Sequence, residues 1–133
     1  MSEPRFGTAG LADSYPVKRF DPAAIAAYTA GFGLTAFEYQ CGRGVRLAHD
    51  KAAALGAACA ERDIALSVHA PYYISMSSLE EDKRLHSIDY LLQSCALVKA
   101  LGGPADNIHM PQRDGVEAAG IDRNFHGGHS SLP

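Results

Sequence analysis

The chain has few cysteines, the residues whose disulfide bonds stabilise small secreted proteins. It contains three cysteines and no tryptophan. Cys41, Cys59 and Cys95 lie far apart, no C-x-x-C pair occurs, and their number is odd. This pattern argues against a disulfide framework. Met1 is followed by polar residues, so the sequence also shows no secretory leader. We therefore expect a reduced, cytoplasmic protein.

Long apolar runs and an excess of positive charge are also missing. No run approaches the roughly 20 apolar residues of a membrane-spanning helix, so no membrane partner is expected. The 12 lysines and arginines face 15 acidic residues, for a formal net charge of −3. This balance excludes a protein that is basic throughout, but a local basic patch can still bind nucleic acid. With 133 residues, of which 47% are hydrophobic, the chain is sized for one globular domain.

Short apolar segments alternate with helical patterns along the first 110 residues. Asp21 followed by Pro22 is typical of a helix start, and Gly102 with Gly103 indicates a helix end. Asp50 is the expected cap of the second helix, and Ser77 and Ser78 head two capping-box patterns before the third. The predicted strands cover residues 5–9, 35–40, 64–69 and 106–110, and the predicted helices cover residues 21–32, 49–62 and 77–102.

This alternation predicts an α/β fold with a parallel sheet of three to four βα units. Two architectures fit, a doubly wound open sheet and part of a (β/α)8 barrel, and the periodicity does not choose between them. Residues 111–133 contain four glycines and two prolines with little apolar periodicity. We therefore expect the domain to cover residues 1–110, followed by an irregular tail over residues 111–133 of the kind that an out-of-frame reading would produce.

Two histidines are predicted to end consecutive strands. His69 closes the apolar run before Pro71, and His109 holds the same relative position in the next strand. Ligands bind at the carboxyl ends of parallel strands, where two imidazoles could share a divalent metal such as zinc. The alternative for His69 is a buried imidazole satisfied by a backbone carbonyl. A catalytic zinc also needs at least three protein ligands.

The loops after the second and third strands carry groups suited to nucleic acid. Arg43 and Arg46 lie in a glycine-containing loop, where guanidinium groups could contact phosphate oxygens, although an ordinary solvated loop fits equally well. Tyr72 and Tyr73 either cover the base of a loop or present a ring for stacking on a base or sugar. Glu38 is either a metal ligand or a satisfied buried acid. Cys41 has no histidine nearby in sequence and is interpreted as a small loop residue.

Four segments, RFGTAG, FEYQCGRGVR, ALSVHAPYYIS and SIDYLLQS, together resemble the endonuclease IV family and its wider xylose isomerase-like TIM-barrel superfamily. The likeness runs from Arg5 to Gly102, and the segment from Val68 to Ser75 is its most specific part. The resemblance implies a partial TIM barrel and, in the intact enzyme, three zinc ions that hydrolyse the phosphodiester beside an abasic site in DNA.

Carried over position by position, the resemblance implies that His69 and His109 are zinc ligands. It implies that Tyr72 enters DNA beside the abasic nucleotide, and that Gln40 and Arg43 lie in a loop that enters the minor groove. The stretch Asn-Ile-His-Met-Pro around His109 departs from the family's His-Pro-Gly. A complete barrel needs about 250 residues, so we expect this chain to be an amino-terminal part that lacks the later ligands and has little or no nuclease activity.

Two alternatives stay open from the sequence. The first is part of a sugar isomerase or epimerase of the same superfamily, in which strand-end histidines and aromatic residues meet a sugar and one metal ion. The arginines of the loop after the second strand favour DNA over an uncharged sugar. The second is a non-catalytic half-barrel that associates with itself through its open sheet edges.

Overall fold

Four parallel strands and three helices alternate along the chain. The structure, a computed structural model, describes residues 3–16, 19–103 and 107–110. The elements are β1 (Gly7–Ala9), α1 (Pro22–Gly31), β2 (Ala36–Gln40), α2 (His49–Ala60), β3 (Ala65–His69), α3 (Glu81–Ala100) and β4 (Ile108–His109). Each predicted strand and helix is confirmed. The expectation for residues 111–133 lies outside the described residues.

The order of the strands decides between the two architectures. The sheet runs β1-β2-β3-β4, with every neighbouring pair parallel. A doubly wound sheet reverses its strand order at a switch point and places helices on both faces. Here the order never reverses, and α1, α2 and α3 pack side by side. The α/β partial barrel is therefore the architecture of the described residues.

The hydrophobic core lies between the sheet and the helices. Phe37 of β2 and Val68 of β3 are buried in one cluster with Ile25, Leu55 and Val98 from the three helices. Because side chains alternate along a strand, the residues before and after Phe37 and Val68 point to the opposite face. Glu38, Gln40, Ser67 and His69 are on that helix-free face, which corresponds to the inside of a barrel.

The helix caps agree only in part with the sequence patterns. Asp21 caps α1 as predicted, since its Oδ1 accepts a hydrogen bond of 3.1 Å from the amide of Ala24. The prediction for Asp50 is wrong: α2 begins at His49 after Ala48, with no side-chain cap, and Asp50 lies within the first turn. There the carboxylate can still interact favourably with the helix dipole.

The capping boxes predicted for α3 are also wrong. The helix begins at Glu81, and its cap residue Glu80 makes no side-chain capping bond. Ser78 lies before the helix, and its Oγ accepts a hydrogen bond of 3.2 Å from the amide of Glu80. The serine therefore stabilises the turn before the helix, because local hydroxyl-to-backbone bonds favour turns as readily as helix starts.

The large apolar side chains of α3 do not all lie on its buried face. Leu85, Ile88 and Leu92 are exposed, whereas Ser87 and Ser94 are fully buried. Each serine donates to the carbonyl four residues earlier, on Lys83 and Tyr90 respectively, which satisfies the hydroxyl inside the core. The buried face of α3 therefore combines these two serines with Leu97 and Val98 near the end of the helix, whereas the apolar stripe of Leu85, Ile88 and Leu92 faces away. Within the described part of the chain, none of the helices has the length and apolarity to cross a membrane.

Candidate metal and nucleic-acid site

Three strands deliver polar side chains to one edge of the sheet. Gln40 aligns with His69, and His69 aligns with His109, so the last residues of β2, β3 and β4 stand in a row. The strands are parallel, so this row is the carboxyl edge, where α/β proteins bind their ligands. His69 is half-buried and His109 is exposed.

The two histidines lie side by side. Their ring centroids are 4.9 Å apart, with an angle of 65° between the ring planes. His69 Nδ1 is 2.9 Å from the carbonyl oxygen of Ala70. A carbonyl can only accept, so Nδ1 must carry the hydrogen, and in the neutral imidazole Nε2 keeps its lone pair. A backbone carbonyl on one ring nitrogen with the other nitrogen left available is the usual state of a metal-binding histidine.

Glu38 lies on the same face of β2, two residues before Gln40. Its side chain is 18% exposed, and Oε2 lies 3.4 Å from His109 Nδ1. The same oxygen accepts a hydrogen bond of 3.3 Å from Ser67 Oγ. The sequence alone does not decide whether Glu38 is a metal ligand or a satisfied buried acid, and it predicts no role for Ser67. The signal was the strand period, since residues 38 and 40, like residues 67 and 69, must share a face.

The donor set fits a zinc ion in part. Two imidazole nitrogens are ligands of the type that zinc prefers, and a catalytic zinc site uses three protein ligands. Within residues 3–16, 19–103 and 107–110, no group of three or more His, Cys, Asp or Glu side chains is placed to hold a metal ion. The described residues therefore supply two zinc ligands at most, and no step of phosphodiester cleavage can be assigned to them.

The loops that carry Arg43 and Tyr72 are joined by backbone hydrogen bonds. The amide of Tyr72 donates to the carbonyl of Gly42 at 3.0 Å, and the amide of Cys41 donates to the carbonyl of His69 at 3.0 Å. Gly42 has a φ of 58°, a left-handed conformation that favours glycine. These bonds hold the two loops next to each other above the carboxyl edge.

The side chains of these loops are open to solvent. Arg43 is exposed, and Tyr72 is 58% exposed with its ring centroid 5.7 Å from that of His69. The ring of Tyr72 thus lies beside His69, and the exposed Arg43 belongs to the loop that is bonded to the Tyr72 loop. The exposed ring of Tyr73 is directed elsewhere, since its nearest aromatic neighbour is Tyr90 of α3 at 6.3 Å.

The side chain of Gln40 approaches the turn that follows β1. A side-chain carbon at Gly10, whose φ is 76°, would come within 3.4 Å of Gln40 Oε1. The glutamine therefore lies against that turn. It lines a cavity of about 320 Å³ together with Leu11, Phe20 and Tyr39.

Cys41 has the environment of an inert thiol. Its residue is buried, and desolvation raises the pKa of the thiol to about 11. Only the thiolate is an effective nucleophile, and burial in apolar surroundings keeps the thiol protonated near neutral pH. The geometry supports the interpretation of Cys41 as a small loop residue.

Comparison with known proteins gives a family match and a structural match. Residues 26–127 match the family described as xylose isomerase-like TIM barrel. The chain is also similar to a solved crystal structure of endonuclease IV from Thermus thermophilus, with a TM-score of 0.63 and 21% identity. That similarity covers 93% of this chain and 48% of the other, so the chain spans about half the length of that structure. A comparison with curated proteins gave no match.

Proposed function

Because the chain belongs to the xylose isomerase-like TIM barrel family, we propose that it carries the amino-terminal part of an endonuclease IV-like enzyme that acts on abasic sites in DNA. The observation that supports the proposal is the grouping of two histidines and two bonded loops at the carboxyl edge. His69 and His109 stand side by side, and the loops of Arg43 and Tyr72 are bonded to each other beside them.

In this proposal the histidine pair binds zinc. His69 contributes Nε2, because its Nδ1 is engaged by the carbonyl of Ala70. His109 is the second ligand. When bound in an intact site, zinc would activate a water and stabilise the leaving oxygen of the phosphodiester. The remaining ligands have to come from outside the described residues, since those residues supply two at most.

The loop residues bind DNA in this proposal. Arg43 contacts a phosphate, which suits a guanidinium that is exposed and free to form a bidentate contact. Tyr72 stacks beside the abasic nucleotide, because its exposed ring stands next to His69. Gln40 lies at the base of the same loop and contacts the minor groove. The net charge of −3 means that attraction for DNA is local to this edge.

Binding of an abasic duplex to the full chain, followed by fluorescence anisotropy over a salt series with zinc present, tests this proposal. We expect Arg43→Gln to reduce the slope of log affinity against log salt by about one, since one phosphate contact is lost. We expect Tyr72→Ala to weaken binding by about 1–3 kcal/mol, the usual contribution of one aromatic stack. Incision of the duplex should be absent or very slow.

Two matched variants control for charge and for loss of a ring. Arg62→Gln removes the same charge just after the end of α2, at the opposite edge of the sheet, and Tyr73→Ala removes the neighbouring exposed ring. Both should bind like the unmodified chain. If Arg62→Gln reduced the salt slope as much as Arg43→Gln, a specific phosphate contact of Arg43 would be contradicted. Salt-insensitive binding of a ketose, with no affinity for DNA, would replace the nuclease with a sugar isomerase or epimerase.

A further inference from the structure

Glu38 is a carboxylate in a place where packing does not require one. Its neighbours along the helix-free face include Ala36 and Gly7, and a cavity of about 200 Å³ opens beside it. A carboxylate that is only 18% exposed loses much of its hydration, so it needs polar partners to be tolerated. An alanine would suit this small-residue surface without that cost.

The partners of Glu38 connect it to the histidine pair. Ser67 donates its hydroxyl hydrogen to Oε2 at 3.3 Å, which holds the carboxylate from the β3 side. The same oxygen faces His109 Nδ1 at 3.4 Å. Among the described residues, no lysine or arginine forms an ion pair with Glu38, so its Oε2 meets the hydroxyl of Ser67 and the imidazole of His109.

The contact has a definite chemical consequence for His109. An ionised carboxylate is an acceptor only, so a hydrogen on Nδ1 is favoured when the ring approaches it. In the neutral imidazole the lone pair is then on Nε2. A carboxylate behind a histidine orients the ring, selects its tautomer and raises its basicity as a ligand. Ala70 does the same for His69 through a backbone carbonyl at 2.9 Å.

We propose that Glu38, held by Ser67, is a positioning residue for His109: it directs the hydrogen to Nδ1 and prepares Nε2 to bind a metal ion. The metal-binding part of this inference rests on the proposed function, and the tautomer part does not. Glu38 acts through the imidazole and is not itself a ligand.

The first measurement is the tautomer of His109 in the metal-free full chain, read from long-range ¹⁵N–¹H correlation spectra at pH 8. We expect the Nδ1–H form in the unmodified chain. Glu38→Gln keeps the size of the side chain but can donate to Nδ1, so the population should shift toward Nε2–H. Ser67→Ala should cause a smaller shift in the same direction. Glu61→Gln, which removes an exposed carboxylate at the end of α2, should leave the spectrum of His109 unchanged.

The second measurement is the zinc affinity of the same chains by competition with a chromophoric chelator. We expect Glu38→Gln to weaken zinc binding by about 10- to 100-fold, the usual effect of losing a group behind a metal-binding histidine. His69→Ala should weaken it at least as much, and His86→Ala, on the exposed side of α3, should not. If Glu38→Gln keeps the Nδ1–H tautomer of His109 but binds zinc more weakly, the carboxylate is a direct ligand. That outcome would overturn the positioning role.

The two measurements separate the two proposals. If the tautomer of His109 depends on Glu38 but the unmodified chain does not bind zinc at the histidine pair, the positioning contact stands and the metal role fails. If zinc binding depends on His69 and His109 while Glu38→Gln changes neither the tautomer nor the affinity, the inference about Glu38 fails and the metal role stands.

Discussion

At the scale of single residues, burial separates the three cysteines into two kinds. Cys41 and Cys59 are buried, whereas Cys95 is partly accessible on α3. Desolvation raises the pKa of both buried thiols to about 11. Arg62 lowers the pKa of Cys59 by its charge, but this effect is smaller than that of burial. The buried pair therefore packs as small apolar groups and stays protonated near neutral pH.

We expect Cys95 to react first with a maleimide at pH 7.5. One thiol per chain should react in a fast phase. Cys41 and Cys59 should be modified only when the chain unfolds, because their thiolate populations and their solvent access are both low. Mass spectrometry of a time course measures this. Cys95→Ser should remove the fast phase and leave the slow one. Rapid modification of Cys41 would contradict its burial.

The same two thiols should make the fold less stable in alkali. Their pKa values are near 9 when unfolded and about 11 when folded. Between these values the unfolded chain releases protons that the folded chain keeps, so the free energy of unfolding falls as pH rises from 9 to 11. Urea denaturation at pH 8.0 and pH 10.5 measures the fall. It should be smaller in Cys59→Ala, and equal stability at both pH values would contradict the prediction.

At the scale of elements, one glycine sets how closely two helices approach. A side-chain carbon at Gly56 of α2 would lie 2.2 Å from the carbonyl oxygen of Leu101, the residue that caps α3. Backbone atoms cannot yield as a flexible side chain does. The absence of a side chain at Gly56 therefore lets α2 pack against the end of α3.

We expect Gly56→Ala to reduce the free energy of unfolding by about 1–3 kcal/mol, because the helices must separate to admit a methyl group. Gly31→Ala is the matched control. It lies in α1, and a side-chain carbon there meets nothing within 4 Å. Its substitution should be neutral or stabilising by up to about 1 kcal/mol. Urea denaturation of both variants measures the difference, and equal stabilities would contradict the close approach.

At the scale of the whole molecule, the described sheet is open. It has four strands, with β1 and β4 at its edges. A closed barrel has no edges, whereas unpaired strand edges favour association with other chains. The exposed stripe of Leu85, Ile88 and Leu92 on α3 adds apolar surface of the kind that a neighbouring helix covers.

We expect the purified chain to self-associate in a concentration-dependent manner, measured by size-exclusion chromatography with light scattering. The double variant Leu85→Glu, Leu92→Glu should shift the chain toward monomer, because it places charges on the apolar stripe. Leu79→Glu alters the most exposed of the described leucines, which lies outside α3, and should have little effect. A monomer at all concentrations, with cooperative unfolding, would contradict this prediction.

Strand and helix positions could be predicted because they depend on local patterns. Apolar runs placed β2 and β3, and Asp21 with Pro22 placed the start of α1. The caps were less predictable, as Ser78 shows, because a serine hydroxyl can bond to a turn as well as to a helix start. The buried face of α3 was not predictable from apolar period alone, since Ser87 satisfies its own hydroxyl within the helix.

The sequence by itself determined the α/β class, the strand-end positions of His69 and His109, and the family resemblance, because period, turn residues and motifs are local properties of the chain. Only the tertiary structure decided the strand order, the neighbouring rings of the two histidines and the contact of Glu38 with His109. Those features join residues that are far apart in the sequence. Their distances depend on the register of parallel strands, which is set when the sheet and helices pack together.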